Sequence, residues 1–263
     1  MGPMPLLDAH NHLHRLPDPD AAIRDMRAAG VDGCVVNGTS EEDWPAVAAL
    51  AGAHPDFVRP AFGLHPWYAH RRTSGWLDVL RSFLDRFPAA SIGECGLDRW
   101  VDEPSIDEQL AVFLPQLALA RERGLPLTLH ALKAWGPLLD ALGREPPPGN
   151  GFLLHSFGGS AELVARLAPL GARFSFSGHF LHPRKARVLE AFRAVPPDRL
   201  LLETDAPSML PPEALVSHPL PEGRNHPANL PAIARGLAAH LGEPPADLMA
   251  RCAENTRRLL LFT

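Results

Sequence analysis

Short apolar segments alternate with longer amphipathic segments along the whole chain. The apolar segments have the character of buried strands: the first begins at Leu6, and the others cover residues 31–36, 58–65, 90–96, 125–130, 152–155, 172–177 and 199–205. Between them apolar residues recur at helical spacing, most clearly from Ile106 to Leu117. Strands that are apolar throughout are typical of a parallel sheet covered on both faces. Eight such units in 263 residues therefore predict one α/β domain, residues 1–263, folded as a (β/α)8 TIM barrel.

The composition restricts the classes of function. An apolar content of 46% and a charged content of 21% are typical of a soluble globular protein. The net charge of -5 excludes an overall positive field, so any contact with nucleic acid must be local. No apolar run approaches the ~18 residues of a membrane span, so we expect no membrane contact.

The cysteines and the N-terminus indicate a compartment. Cys34, Cys95 and Cys252 are odd in number and widely separated, which favours reduced thiols over a disulfide framework. Residues 1–5 lack the basic and apolar regions of a signal peptide. We therefore expect a cytoplasmic protein. The sequence does not determine the oligomeric state, and a monomer is the favoured expectation.

Polar residues with metal-binding side chains stand at the ends of the predicted strands. They are His10, His12, Glu94, His130, His155 and Asp205. Alternate residues of a strand share a face, so His10 and His12 point the same way, about 7 Å apart along the backbone. Each of the six has a simpler explanation by itself, such as a helix cap or a hydrogen-bonded core histidine. In a barrel, however, the carboxyl ends of all strands meet at one mouth, so the six residues should converge there.

Imidazoles and carboxylates in this combination suit a pair of divalent ions, with Zn2+, Mn2+ or Mg2+ as candidates. Glu94, on the fourth strand, is placed to bridge the two ions. Two such ions, about 3.5–4 Å apart, acidify a water molecule and stabilise the oxygens around a reacting phosphorus or carbonyl centre. The ligand set predicts metal-dependent hydrolysis but does not select a substrate.

Several longer motifs carry a family resemblance. They are Asp8–His12, Gly63–Pro66, Ile92–Asp98, Leu154–Ser160, Glu203–Pro207 and Glu254–Leu259. In their order and spacing the chain resembles the TatD-type family of metal-dependent hydrolases and deoxyribonucleases. The resemblance implies that His10, His12 and Asp205 hold one metal ion, that His130 and His155 hold the other, and that Glu94 bridges them. It also implies DNA as the substrate, as a single strand or at a 3′ end.

Three further residues are candidates for substrate contact. We expect His65 to line the pocket, although a structural role beside Pro66 is also open. Lys133 follows the fifth strand near a helix start, where a bound phosphate would offset the unfavourable helix dipole, but it could equally be a solvated loop residue. Arg224, in a loop that resembles a family loop after strand eight, can bind two phosphate oxygens at once.

The chain departs from the family pattern at three places. His14 stands where the family usually has Asp, residues 131–132 replace a usual Ser-Arg pair, and His226 replaces a usual acidic residue. These departures concern substrate contacts more than the metal ligands.

Three functions remain open from the sequence. The leading hypothesis is a phosphodiesterase that trims DNA, in which Asp205 orients the attacking water or takes its proton. The second is an amidase or esterase acting on a small molecule or on aminoacylated RNA. Related barrels that hydrolyse C–N bonds often bridge their metals with a carboxylated Lys on strand four, and Glu94 occupies that place here. The third is a metal-binding module without turnover, which predicts a missing ligand or a blocked mouth.

Overall fold

The computed structural model describes residues 6–260, and its eight strands form one parallel sheet in which each strand pairs with the next along the chain. The strands are β1 (Leu7–Asn11), β2 (Gly33–Asn37), β3 (Val58–Phe62), β4 (Ser91–Asp98), β5 (Leu127–Leu132), β6 (Phe152–Leu154), β7 (Ala172–Phe176) and β8 (Leu200–Leu202). Residues 1–5, for which the sequence predicts no signal peptide, lie outside the described part.

Helices follow the strands in the predicted alternation. The α-helices are α1 (Pro19–Ala28), α2 (Trp44–Ala53), α3 (Trp76–Arg86), α4 (Ile106–Arg123), α5 (Trp135–Arg144), α6 (Ala161–Leu167), α7 (Ala186–Ala191), α8 (Leu230–Leu241) and α9 (Pro245–Leu260). Short 3-10 turns occupy Leu13–Arg15, Pro66–Arg71, Ala168–Leu170, Gly178–Leu181, Pro183–Lys185, Phe192–Ala194, Pro197–Arg199, Glu213–Leu215, Pro221–Gly223 and Pro227–Asn229.

The segment that follows β8 closes the sheet against β1. The backbone N–H of Asp205 donates to the carbonyl oxygen of His10 at 3.0 Å, and the N–H of His12 donates to that of Ala206 at 2.7 Å. These bonds join the first strand to the chain beyond the last one. The predicted TIM barrel is therefore confirmed.

Strands β5, β6 and β8 end at other residues than predicted, because pairing with the neighbouring strand determines where a strand ends. β5 runs past His130 to Leu132, because its last two residues pair with the end of β4. β6 ends at Leu154 and β8 at Leu202, so His155 and Asp205 lie just beyond their strands. This places their side chains in the loops at the mouth of the barrel.

Two buried layers alternate along the strands. Val36, Leu200 and Leu202 belong to the large layer between sheet and helices, whereas Val35 and Leu201 belong to a smaller cluster. The smaller cluster consists of Ala9, Val35, Ala61, Leu153, Leu201, Leu259 and Leu260. Its members come from five of the strands and from the end of α9, so it fills the barrel interior below the site.

Two further expectations can be compared with the described residues. Within 6–260, every helix is too short or too polar to span a bilayer. All three cysteines are buried and free, as expected for reduced thiols.

Candidate metal centre

An irregularity in β1 turns both of its histidines into the barrel. Between Asp8 and Asn11, β1 has one residue more than β2. Asn11 pairs with Val36, which packs in the outer layer. Its neighbours His10 and His12 therefore face the interior, as the His-x-His spacing predicted.

A second irregularity, in β4, presents Glu94. β4 also carries one residue more than β5 at this point. The β5 backbone approaches so closely that a Cβ on Gly93 would lie 2.7 Å from the Cβ of Thr128, and one on Gly96 would lie 2.1 Å from the carbonyl oxygen of His130. Both glycines have positive φ, which a side chain would also oppose. The two glycines let β4 lie against β5 with Glu94 pointing inward.

One oxygen of Glu94 faces the ligands from β1. Its Oε2 lies 3.2 Å from Nε2 of His12 and 3.6 Å from Nε2 of His10. The two Nε2 atoms are 3.4 Å apart, and Oδ1 of Asp205 is 3.5 Å from each of them. All four side chains are buried.

The other oxygen of Glu94 faces the candidate ligands from β5 and from the loop that follows β6. Its Oε1 lies 2.8 Å from Nε2 of His155 and 3.1 Å from Nδ1 of His130. These two nitrogens are 3.2 Å apart. His65 also reaches this oxygen, with its Nε2 at 3.1 Å.

The spacing of these atoms fits metal coordination. Two ligand atoms that each lie about 2.0–2.1 Å from one tetrahedral ion are separated by roughly 3.3–3.4 Å. The distances among His10, His12 and Asp205 are 3.4 and 3.5 Å. Oδ1 of Asp205 is buried without a hydrogen-bond partner, which is costly unless a cation or proton satisfies it. Candidate ligand triplets are His10–His12–Asp205, His10–Glu94–His155 and His65–Glu94–His130.

For His12 and His130, neighbouring groups fix which ring nitrogen faces the centre. Nδ1 of His12 donates to the carbonyl oxygen of Asn37 at 2.8 Å, which leaves Nε2 to act as a ligand. Nε2 of His130 lies 2.9 Å from Oδ2 of Asp98, which leaves its Nδ1 toward Glu94. A carboxylate behind a ligating histidine orients the ring and raises its basicity.

Two more acidic residues hold the loops that carry ligands. Glu203 accepts hydrogen bonds from the backbone N–H and hydroxyl of Ser156, at 2.7 and 2.6 Å, directly after His155. Asp8 accepts from the backbone N–H and hydroxyl of Thr204, at 3.0 and 2.6 Å, directly before Asp205. Burial raises the pKa of Asp8 to about 7 despite these hydrogen bonds.

The charges of the centre are strongly coupled. Burial favours the uncharged form of each group and lowers the pKa of His10, and it lowers that of His65 to about 4. For His12, the carboxylates of Asp205 and Glu94 outweigh burial and raise the pKa to about 9. The surrounding histidines outweigh burial at Glu94 and hold its pKa well below the usual range. The metal-free centre is thus a set of carboxylates that share protons with imidazoles.

The residues predicted to contact substrate lie at different places. His65 is inside the centre, against Glu94. Lys133 lines a neighbouring cavity. Nε of Arg224 donates to a carbonyl oxygen of its own loop at 3.4 Å, and within the described part of the chain Arg224 lines neither of the two cavities at the centre.

Residues that depart from the family pattern have local partners. Nε2 of His14 lies 3.4 Å from Oδ2 of Asp43. Nδ1 of His226 accepts from the backbone N–H of Ala228 at 3.0 Å, and its Nε2 lies 3.6 Å from Oδ2 of Asp25. His226 is thus held by a hydrogen bond, whereas His14 lies beside the Asp43 carboxylate without one.

Sequence reasoning did not single out several residues of the site. Asp98 and Glu203 stand inside motifs that carry the family resemblance, so a signal for them was present. No sequence motif pointed to Arg15, which lines the cavity at the centre. Its Nη2 lies 2.5 Å from Oγ1 of Thr39 and 3.1 Å from Oδ2 of Asp43, contacts that only the folded chain creates.

Known proteins match this chain over nearly its full length. A family model described as TatD related DNase matches residues 7–261. The 3'-5' ssDNA/RNA exonuclease TatD of Erwinia tasmaniensis is 34% identical over 243 residues, which cover 92% of this chain and 93% of that protein. The uncharacterized metal-dependent hydrolase YjjV of Escherichia coli K12 is 31% identical over 256 residues, 95% of each chain. The crystal structure of YjjV has a TM-score of 0.89 at 28% identity and covers 98% of both chains.

Proposed function

Because this chain belongs to the family of TatD-related DNases, we propose that it is a divalent-metal-dependent phosphodiesterase that shortens single-stranded DNA, acting at a 3′ end. The observation that carries the proposal is the position of Glu94, whose two oxygens face two separate sets of ligand atoms. A relative that is 34% identical is named a 3'-5' ssDNA/RNA exonuclease. Both support hydrolysis of a nucleic-acid backbone.

We assign two divalent ions to the centre, Zn2+, Mn2+ or Mg2+. His10, His12 and Asp205 would hold one and His130 and His155 the other, with Glu94 shared between them. When bound, the ions lower the pKa of water and stabilise the charge that develops on the oxygens of a reacting phosphate. The ligand spacing and the unpartnered Oδ1 of Asp205 fit this assignment.

Asp205 also positions the attacking water and accepts its proton. It lines the cavity at the centre, and its backbone adopts a left-handed conformation, φ 51°, with its N–H donating to the carbonyl oxygen of His10 in β1. Burial opposes ionisation, but His12 and His155 lower the pKa of its carboxyl, so it is a carboxylate at neutral pH. Glu94 is less suited to accept this proton, because both of its carboxylate oxygens contact histidine nitrogens.

The chain's own cations and donors bind the substrate. His65 stays neutral near pH 7; its Nδ1 accepts from the N–H of Trp67 at 3.2 Å, so its Nε2 carries a proton toward the centre. Arg15 presents a guanidinium to the cavity, and Lys133 presents an ammonium to the next cavity. Arg224 remains a proposed phosphate contact, which requires its side chain to leave the carbonyl that it now binds.

The proposal also covers the compartment, the oligomeric state and the domain organisation. We propose that the protein works in the cytoplasm as a monomer of one domain, residues 1–263. Three buried free cysteines are compatible with a reducing compartment.

A substrate panel tests the function. Purified protein is stripped with EDTA, reloaded with Mg2+, Mn2+ or Zn2+, and incubated with 5′-labelled single-stranded DNA and with ester and amide substrates. We expect stepwise shortening of the DNA that requires metal and disappears in Glu94→Gln. Brisk ester or amide hydrolysis without DNA cleavage under any metal would instead establish an amidase or esterase.

A further inference from the structure

The cavity at the metal centre is too small for a nucleotide. It holds about 100 Å³, and five of the six proposed ligand residues line it. A second cavity of about 480 Å³ shares three of them, His130, His155 and Asp205. Small-molecule sites usually enclose about 300–1,000 Å³. A phosphate that reaches the ligands must therefore leave the rest of its nucleotide in the larger cavity.

The walls of the larger cavity combine rings with positive charge. Its apolar lining includes Trp100, Leu132, Trp135, Phe180, Val188 and Met209. Both lysines of the chain, Lys133 and Lys185, also line it. The chain has a net charge of -5, so two lysines at one cavity make this region locally more positive than the protein as a whole. Single-stranded nucleic acid typically binds to sites that combine aromatic rings with adjacent positive charges.

Trp100 is the exposed ring of this cavity. It is 65% exposed, although exposed large apolar side chains are costly in water. Nζ of Lys133 lies 4.0 Å from the centroid of its ring, a cation–π distance that holds the two side chains together. Lys133 covers part of the ring, and the exposed remainder of the indole is available to a flat partner.

The backbone around the cavity is also unusual. Five described non-glycine residues have positive φ, and four of them line this cavity: Lys133, Ser156, Asp205 and Met209. Such conformations persist only where the surrounding structure imposes them, and they cluster at ligand sites.

We propose that this cavity is a base-binding subsite, in which Trp100 stacks on the nucleobase next to the scissile phosphate while Lys133 and Lys185 hold neighbouring phosphates. The proposal rests on the proposed phosphodiesterase function and specifies the substrate: a nucleotide chain with an unpaired base at the reacting position.

The test compares two single-stranded oligonucleotides that differ only in one base. One is unmodified, and the other has an abasic tetrahydrofuran residue at the terminal 3′ position. Removing a base–aromatic stack weakens binding about 5- to 150-fold. We expect kcat/KM of the wild-type enzyme with Mn2+ to be lower by that factor on the abasic substrate. Trp100→Ala should lose as much on the normal substrate and change within about twofold on the abasic one.

Two variants serve as controls. Trp100→Phe retains a ring and should preserve most of the discrimination between the substrates. Leu170→Ala removes another exposed apolar side chain, 36% exposed and just before β7, at the opposite end of the barrel, and should change neither rate. Equal rates of the wild-type enzyme on both substrates, or equal losses on both in Trp100→Ala, would overturn the subsite.

A binding measurement without turnover tests the base-binding subsite separately from the proposed phosphodiesterase function. Fluorescence anisotropy in EDTA measures the affinity for both oligonucleotides even if neither is cleaved. A preference for the base-bearing strand that Trp100→Ala abolishes supports the subsite. Equal affinities refute it. Absence of cleavage with every metal, whatever the affinities, counts against the phosphodiesterase function instead.

Discussion

Asp98 lies directly behind His130, with its Oδ2 2.9 Å from the ring Nε2, while the opposite ring nitrogen faces Glu94. Asp98 is fully buried and also accepts a hydrogen bond from the indole N–H of Trp67 at 2.8 Å. His130 cannot rotate without breaking this contact. Asp98 thus determines which nitrogen is offered to a metal, although it contacts no metal itself.

Asp98→Asn should therefore weaken metal binding without removing a ligand. Loss of such a carboxylate typically costs about 10- to 100-fold in metal affinity or activity. Titration of the metal-free variant with Zn2+, followed by calorimetry, measures the effect. Asp102→Asn, an exposed acid in the following loop, should bind as the wild type does. An unchanged affinity in Asp98→Asn would show that His130 is oriented by other contacts.

Asp205→Asn should separate metal binding from proton transfer. The amide keeps one oxygen ligand but cannot accept a proton, so DNA hydrolysis should fall by about 10²–10⁴ while part of the metal stays bound. Metal content and kcat are measured on the same preparation, with the exposed Asp198→Asn as the control. Full metal content with a near-normal rate would rule out the proton role.

Arg15→Ala and Arg224→Ala form a matched pair. Arg15 lines the cavity at the centre and is braced by Thr39 and Asp43, whereas Arg224 contacts only its own loop among the contacts described for it. A charge-assisted hydrogen bond is worth about 1.5–3 kcal/mol, so Arg15→Ala should lower kcat/KM on a phosphodiester by roughly that amount. Arg224→Ala should cost less. A larger loss of kcat/KM in Arg224→Ala than in Arg15→Ala would instead assign the phosphate contact to Arg224, as the sequence predicts.

Metal uptake at pH 7 should release protons. Neighbouring carboxylates raise the pKa of His12 to about 9, so its ring is charged at pH 7 in the metal-free protein. A metal ion binds only the neutral ring, so about one proton or more must leave, and affinity should rise with pH until that pKa is passed. Calorimetry in two buffers of different ionisation enthalpy counts the protons. An enthalpy that does not depend on the buffer would contradict a charged His12.

The sequence is sufficient to predict the barrel and the convergence of the six candidate ligand residues. Apolar periodicity identifies the strand–helix units, and the barrel then brings polar strand ends together whatever the details of their loops. His-x-His on one strand correctly predicted a shared face for His10 and His12. The extra residues in β1 and β4 were not visible, because a bulge depends on pairing with the neighbouring strand.

Residues on loops were the hardest to predict. Arg15 reaches the cavity only because Thr39 and Asp43, from the loop after β2, hold its guanidinium. Trp100 follows β4 with no periodic pattern around it, and its role depends on Lys133 from another loop. No spacing along the chain encodes such contacts, since they arise between segments that meet only after folding.

Under the proposed function, Glu94 and the other candidate ligands would hold two divalent ions, and hydrolysis of single-stranded DNA would require both. The most direct measurement is the rate of cleavage of labelled single-stranded DNA by metal-free protein, titrated with Mn2+ at protein concentrations well above the dissociation constant. The predicted result is no cleavage without metal, a rise that levels off near two ions per chain, and no comparable rise in Glu94→Gln. Cleavage by the metal-free protein, a plateau at one ion, or no cleavage at any Mn2+ concentration would contradict it.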